Sequence, residues 1–204
     1  MRGPVLNGGT PGKEAGCDRR ELILEAALRL FTAEGGYFHA SVHDIRREAD
    51  VSIGSIYHHF KNKEAIAKAL YDKVVCEMAE AVEEIRATYH TAHDRCRAII
   101  ACLYDMVEQT PATMRYIIYA QHREFMPDEP PICSSRPFEL MKDIVEDGIR
   151  DGEIRQLDPM VAATNIFGGA IRMIHLRLDG ALPGSLVKHL EQTWQCAWRG
   201  VMAD

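Results

Sequence analysis

Residues 41–64 read SVHDIRREADVSIGSIYHHFKNKE, and the way this stretch breaks into pieces decides the fold. Ser41 can accept a hydrogen bond from the backbone N–H three residues on, and Asp44 stands where it can return one, the pattern of a capping box at a helix start. Val42, Ile45 and Ala49 then recur at helical spacing, an apolar stripe for a helix of about two turns, while His43, Arg46 and Arg47 fall on other faces. Asp50-Val51-Ser52 interrupts the stripe. Aspartate tolerates a left-handed turn, Val51 can fill the angle between two helices, and Ser52 can cap the second of them. That second helix, Ile53 to about His59, opens with the small residues Gly54 and Ser55 and carries Tyr57 and His58. Two short helices around a tight turn form a helix-turn-helix.

Outward from this stretch the pattern stays helical. On the N-terminal side Asp18 with Glu21 suggests another acidic capping box. Leu22, Ile23, Ala26, Ala27, Leu30 and Phe31 form a stripe that stops at Gly35-Gly36. Tyr37 and Phe38 come after the stop and are expected in the core, as are Ile56 and Phe60. On the C-terminal side Asn62 caps a long helix from Lys63 to about Ala87. Further helices are predicted over 92–109, over 111–124 with Thr110-Pro111 as N-cap and N1, and over 138–150, closed by Gly152. Two more are predicted beyond these: 160–178, opened by Asp158-Pro159, and one from Ser185 to about Met202. FMPDEPPICSSRP is a Pro-rich loop. No segment alternates as a strand does, so the chain reads as all-α without repeats. Gly168-Gly169 costs helix stability, about 1 kcal/mol per glycine against alanine, and implies a close helix approach.

The stretch Arg20 to Leu70 resembles the TetR-type transcriptional regulators. An amphipathic helix ending in FTAEGGY is followed by SVHDIRREADVSIGSIYHHF and by KNKEAIAKAL, with the tyrosine, the histidine-phenylalanine pair and the NKE opening in register. Asp50 departs from the family, which has glycine at this turn; aspartate reaches the same backbone conformation at modest cost. The resemblance implies an N-terminal three-helix DNA-binding domain over residues 18–64 and a larger helical ligand-binding and dimerisation domain over 65–204; residues 1–17, rich in Gly and Pro and without periodicity, read as a disordered arm. The resemblance also implies a homodimer built through the last two helices, a double-stranded DNA operator and a small-molecule effector.

Length and charge fit this organisation. The chain has 204 residues, of which 24 are Lys or Arg and 30 are Asp or Glu. Residues 1–73 hold 11 and 10 of these, leaving 13 and 20 beyond, so the front is +1 and the rest −7. An acidic body behind a neutral-to-basic head repels phosphate and orients the approach to DNA. No apolar run is long enough to span a membrane, and the N-terminus lacks the order of a signal peptide, so a cytoplasmic protein is expected. The six cysteines form no C-x-x-C pair and are expected to be reduced thiols. No catalytic motif stands out, and no cofactor is implied.

A helix-turn-helix lays its second helix in the major groove while phosphate contacts set the register. The expected DNA-facing residues are therefore His43, Ile53, Gly54, Ser55, Tyr57, His58, His59 and Lys63. Ile53 can pack a thymine methyl, Ser55 can bond a base edge, and Tyr57 and His59 can hold phosphate oxygens. Lys63, at a helix N-terminus, suits a phosphate, and the resemblance implies the same task for it, while for His43 it implies a base contact. In the N-terminal arm, Arg2 and Lys13 could reach a groove.

An apolar cavity with sparse polar groups is what a small-molecule site requires. The candidate lining is Met78, Val82, Leu103, Met106, Tyr116, Tyr119, Phe138, Met141, Phe167, Ile171 and His175, implying a largely apolar effector; the same residues serve equally as an ordinary helical core. Gln121 and Asn165 are further polar candidates. Arg115 and His122 could meet an acidic ligand. His90, His93 and Cys96 at i, i+3, i+6 could ligate a transition metal, although no fourth ligand is near and no metal is assigned. A thiol- or metal-responsive regulator, or a helical small-molecule-binding or interaction module without DNA binding, are the alternative readings.

Overall fold

The computed structural model describes residues 18–119, 122–126 and 134–203. The proposed arm, with Arg2 and Lys13, lies outside them, as do Gln121, most of the Pro-rich loop, Cys17 and Cys133. Eleven helices are described: α1 Arg19–Phe31, α2 Gly36–His39, α3 Val42–Glu48, α4 Ile53–His59, α5 Lys63–Thr88, α6 Ala92–Gln109, α7 Pro111–Tyr119, α8 His122–Phe125, α9 Arg136–Arg150, α10 Pro159–Leu178 and α11 Leu190–Arg199. Among the described residues there is no β-strand, only an isolated bridge between Ile154 and Met202.

The described residues fall into two compact units. The first holds 18–75 with 112–126, the second 76–111 with 134–203, so the long helix α5 runs through both. In the first unit α1 packs on α2, α3 and α4, and α3 on α4. Its core is Ile23, Leu24, Ala27, Phe31, Ile45, Ile56, Phe60 and Ile66, all buried. Each leucine, isoleucine and phenylalanine among them contributes about 1.5–3 kcal/mol by leaving water. In the second unit α6 packs against α9, α10 and α11.

The local signals set the helix ends. Ser41 Oγ accepts from the Asp44 N–H at 3.2 Å and the Ser41 N–H donates to Asp44 Oδ2 at 3.0 Å, closing the capping box of α3. Asp50 has φ 51°, the left-handed turn between α3 and α4. Ser52 caps α4 through the Ser55 N–H, and Asn62 caps α5 through the Ala65 N–H. Asp158 caps α10 through the N–H groups of Met160 and Val161.

Elsewhere the structure corrects the expectation. Asp18 caps α1 alone, through the Arg20 N–H, because Glu21 pairs with Lys73 instead of returning a bond. Phe38 is 57% exposed: the short α2 buries Tyr37 and turns its neighbour outward. α7 begins at Pro111 as expected, but the hydroxyl of Thr110 before it serves the end of α6, donating to the Met106 carbonyl. α7 stops at Tyr119. The last helix is shorter than predicted at both ends: Ser185 caps a 3-10 turn, Leu186–His189, before α11, and residues after Arg199 pair with the α9–α10 link. Gly148, unremarked in the sequence, marks the tight crossing of α9 on α6: a Cβ there would lie 2.6 Å from that of Ala92. At Gly169 a Cβ would meet nothing within 4 Å, and at Gly168 only the Thr164 methyl at 3.9 Å. The close approach expected there is to no described part of the chain.

Candidate nucleic-acid interface

α4 is two turns long, so burial of one side leaves the other to solvent. Ile56 is 1% exposed and Phe60 is buried, anchoring the helix to the core. Tyr57 is 55% exposed, Gly54 and His58 are exposed, and Ile53, Ser55 and His59 are half-buried. His43, on α3, is exposed as well. The His58 and His59 rings meet edge to face at 5.0 Å. Tyr57, His58 and Gly54 thus form an outward face with hydrogen-bonding tips, the kind of surface a groove accepts.

The frame around that face is held by paired charges. Asp44 takes both capping bonds of Ser41 and an ion pair from Arg47, and the Ser41 bonds, chiefly, hold its carboxyl below the usual range. Arg29 pairs with Glu48 at 2.6 Å, tying α1 to the end of α3. Burial, with Glu64 alongside, pushes the Tyr37 hydroxyl up to about 12. Its ring stacks on Phe125 at 4.0 Å and meets Phe31 edge-on at 5.2 Å, and its hydroxyl lies 3.2 Å from Glu64 Oε1.

Lys63 stands apart from the expected set. Its Nζ donates to the carbonyls of Tyr37 and Ala40, both at 2.9 Å, and lies 4.0 Å from the centre of the Tyr37 ring. The ammonium is spent inside the head rather than offered outward. The basic residue presented next to α4 is Lys61, which is exposed and which sequence reasoning passed over. Its signal was its position directly after Phe60. Near it, the guanidinium of Arg20 lies 5.5 Å from the Phe60 ring centre.

The expected effector residues are distributed over both units. In the second, Met78, Val82, Leu103, Met106, Met141 and Phe167 are buried, and Phe138, Ile171 and His175 half-buried. His175 Nδ1 is 2.8 Å from the Ile171 carbonyl, and the Asn165 amide donates to the Val161 carbonyl. Tyr116 and Tyr119 belong to the first unit: Tyr116 is buried with its hydroxyl on the Ala67 carbonyl, and Tyr119 is 41% exposed. Arg115 is exposed; the side chain of His122 lies outside the described set. An open groove of about 780 Å³ in the first unit is lined by other residues, among them Arg20, Lys61, Lys68 and Met126.

The sensor constellation does not assemble. His90 is exposed outside α6, and His93 Nε2 accepts the Trp194 indole N–H at 3.1 Å while Nδ1 meets Asp94 at 2.8 Å. Because an indole only donates, the His93 proton sits on Nδ1 and the ring is already committed on both sides. Burial drives the Cys96 thiol up to about 12, opposite to the shift a reactive thiolate needs. Among the described residues no three His, Cys, Asp or Glu are placed to share a metal.

Residues 23–70 match the family model for bacterial regulatory proteins of the tetR family. The fatty acid metabolism regulator of Bacillus subtilis (strain 168) is 28% identical over 149 residues, 72% of this chain and 76% of that protein. The transcriptional repressor KstR2 of Mycolicibacterium smegmatis is 26% identical over 151 residues, 72% of this chain and 71% of its own length. The crystal structure of FadR from B. subtilis, in complex with stearoyl-CoA, superposes with a TM-score of 0.76 at 24% identity, covering 88% of this chain and 98% of that one, and shows the same fold. Among the described residues no helix is long and apolar enough to cross a membrane. With its capped helix-turn-helix and the outward face of α4, the stretch 23–70 is a DNA-binding domain of the tetR family of bacterial regulatory proteins, and over most of its length the chain is similar to transcriptional regulators that carry it.

Proposed function

We propose that the protein is a repressor that binds a palindromic operator as a homodimer, through residues 18–64, and is released by a small-molecule effector held within residues 65–204. The observation that carries the DNA half is the contrast on α4 between Ile56, sealed in the core, and Tyr57 with His58, turned to solvent as His43 is on α3. Ile53, Gly54, Ser55 and His59 complete the reading surface. Repression is the direction printed in the name of the KstR2 relative.

The dimer is supported by the outer face of α10. Val161 is among the most exposed large apolar residues, and Gly169, eight residues on and on the same side of the helix, is exposed with open space above it. A second copy packing there accounts for glycines that the chain's own contacts leave unexplained. For the effector, the buried methionines Met78, Met106 and Met141 offer an adaptable apolar lining. The stearoyl-CoA seen in the FadR structure makes long-chain acyl-CoA the class to test first.

The test is a gel shift of the full chain on DNA flanking its own gene, at several salt concentrations, with and without stearoyl-CoA or free CoA. Specific retention that weakens steeply with salt, and release by the acyl-CoA but not by CoA, is expected. Retention equal on flanking and scrambled duplex would sink the regulator reading; retention untouched by acyl-CoA would sink only the effector class.

A further inference from the structure

Residues 61–63, Lys-Asn-Lys, join the end of α4 to the start of α5, and the two lysines are in opposite situations. α2 is four residues long, so its last carbonyls have no partner along the helix. Lys63 supplies one: its ammonium donates to the carbonyls of Tyr37 and Ala40 and rests on the Tyr37 ring. A cation is well placed at a helix C-terminus. Ala40 directly precedes Ser41, the N-cap of α3, while Lys63 directly follows the Asn62 cap of α5. This one side chain therefore fixes where α3 begins relative to where α4 ends.

Lys61 carries no such duty. It is exposed, it makes no hydrogen bond or ion pair among the described residues, and with Arg20 it lines the rim of the open groove beside Phe60. The acidic groups nearby are already engaged: Glu64 with the Tyr37 hydroxyl and Asp72 with Lys68 at 2.5 Å. The positive charge at the end of the recognition helix is left for a partner outside the chain.

Building on the DNA-binding reading above, we propose that the two lysines divide the work: Lys61 is the phosphate contact at the end of α4, and Lys63 is a positioning residue that holds His43 in register with Tyr57. This reverses what the family resemblance implies for Lys63. Counterion release separates the two roles. A lost phosphate contact lowers the slope of log affinity against log salt by about 0.9, or about 1.8 for a dimer carrying the change in both heads, on any sequence. A lost register weakens only the matched site.

The experiment is fluorescence anisotropy of the full chain on the duplex flanking its own gene and on a scrambled duplex, across a salt series, with melting curves for every variant. Lys61→Met is expected to flatten the slope by about 1.8, to weaken both duplexes alike and to melt like the wild type. Lys63→Met is expected to keep the slope and the scrambled-duplex affinity while losing about tenfold or more on the matched duplex. Lys63→Arg, which keeps a cation and several donors, should recover part of that loss. A flattened slope in Lys63→Met, or an undiminished one in Lys61→Met, overturns the proposal. Should Lys63→Met fail to fold, Lys63→Arg with an intact slope supports the assignment and with a flattened slope overturns it; Lys61→Met, on the surface, decides its own half either way. The wild type is read first, because no preference between the duplexes would defeat the DNA reading itself and not the division between the lysines.

Discussion

The crossing of α9 on α6 and the outer face of α10 both depend on glycine, for opposite reasons. At Gly148 a methyl would strike Ala92 at 2.6 Å and Ile154 at 2.9 Å, so the residue is explained by its own neighbours. At Gly169 a methyl would meet nothing, although glycine in a helix interior costs about 1 kcal/mol against alanine. A cost that the chain's own packing does not require points outside the chain. Gly54 on α4 belongs with Gly169: it is exposed, and a methyl there would touch only Ser52 Oγ at an ordinary 3.8 Å.

Substitutions can break this contrast or sharpen it. The largest stability change is expected from Gly148→Ala, a loss of about 1–3 kcal/mol by overpacking, read from the urea midpoint. An unchanged midpoint would mean that the α6–α9 crossing is looser than described. Next is Ser41→Ala, a control whose cost, about 1 kcal/mol, comes from a local cap rather than from packing. It carries a pH signature. The Asp44 carboxyl is held below its usual value by the Ser41 bonds, so its contribution is present above the ordinary carboxylate range and is lost as pH falls through the lowered folded value. Circular dichroism on acidification should show that dependence in the wild type and a weaker one in the variant.

Gly169→Ala should move the other way, stabilising the separated chain by up to about 1 kcal/mol. Sedimentation should meanwhile show a dimer weakened by about tenfold, or ~1.4 kcal/mol. Unaltered association would leave that glycine without an external reason. The smallest stability effect is expected at Gly54→Ala, a gain of a few tenths of a kcal/mol near the helix start, accompanied by weaker binding to the matched duplex. If anisotropy shows no such weakening, α4 does not come close to DNA at that point.

The same division, between what lies nearby in the chain and what does not, decides how much the sequence could reveal. Ser41, Asp50, Ser52 and Asn62 each act within three or four residues, and all four do in the structure what their chemistry requires of them. Lys63 defeated that logic because its carbonyl partners sit more than twenty residues earlier, on a four-residue helix with no periodicity to announce it. Phe38 was placed inside for the same reason: nothing local says which of two adjacent aromatic residues faces the core. For the effector residues the obstacle differs. Met78, Leu103 and Met141 carry one apolar signature whether they fill a core or line a cavity, and periodicity is blind to the distinction.

Glu153 gives the α9–α10 link a role that its position between two helices conceals. Its carboxylate receives the N–H groups of Ala92 and His93 at the start of α6, and its carbonyl receives the N–H of Ala203. A connector of this kind is ordinarily where a protein engineer would splice in a tag or where lengthening is tolerated. Here three distant stretches of chain are knotted at one residue, and a spacer inserted beside it would loosen all three together.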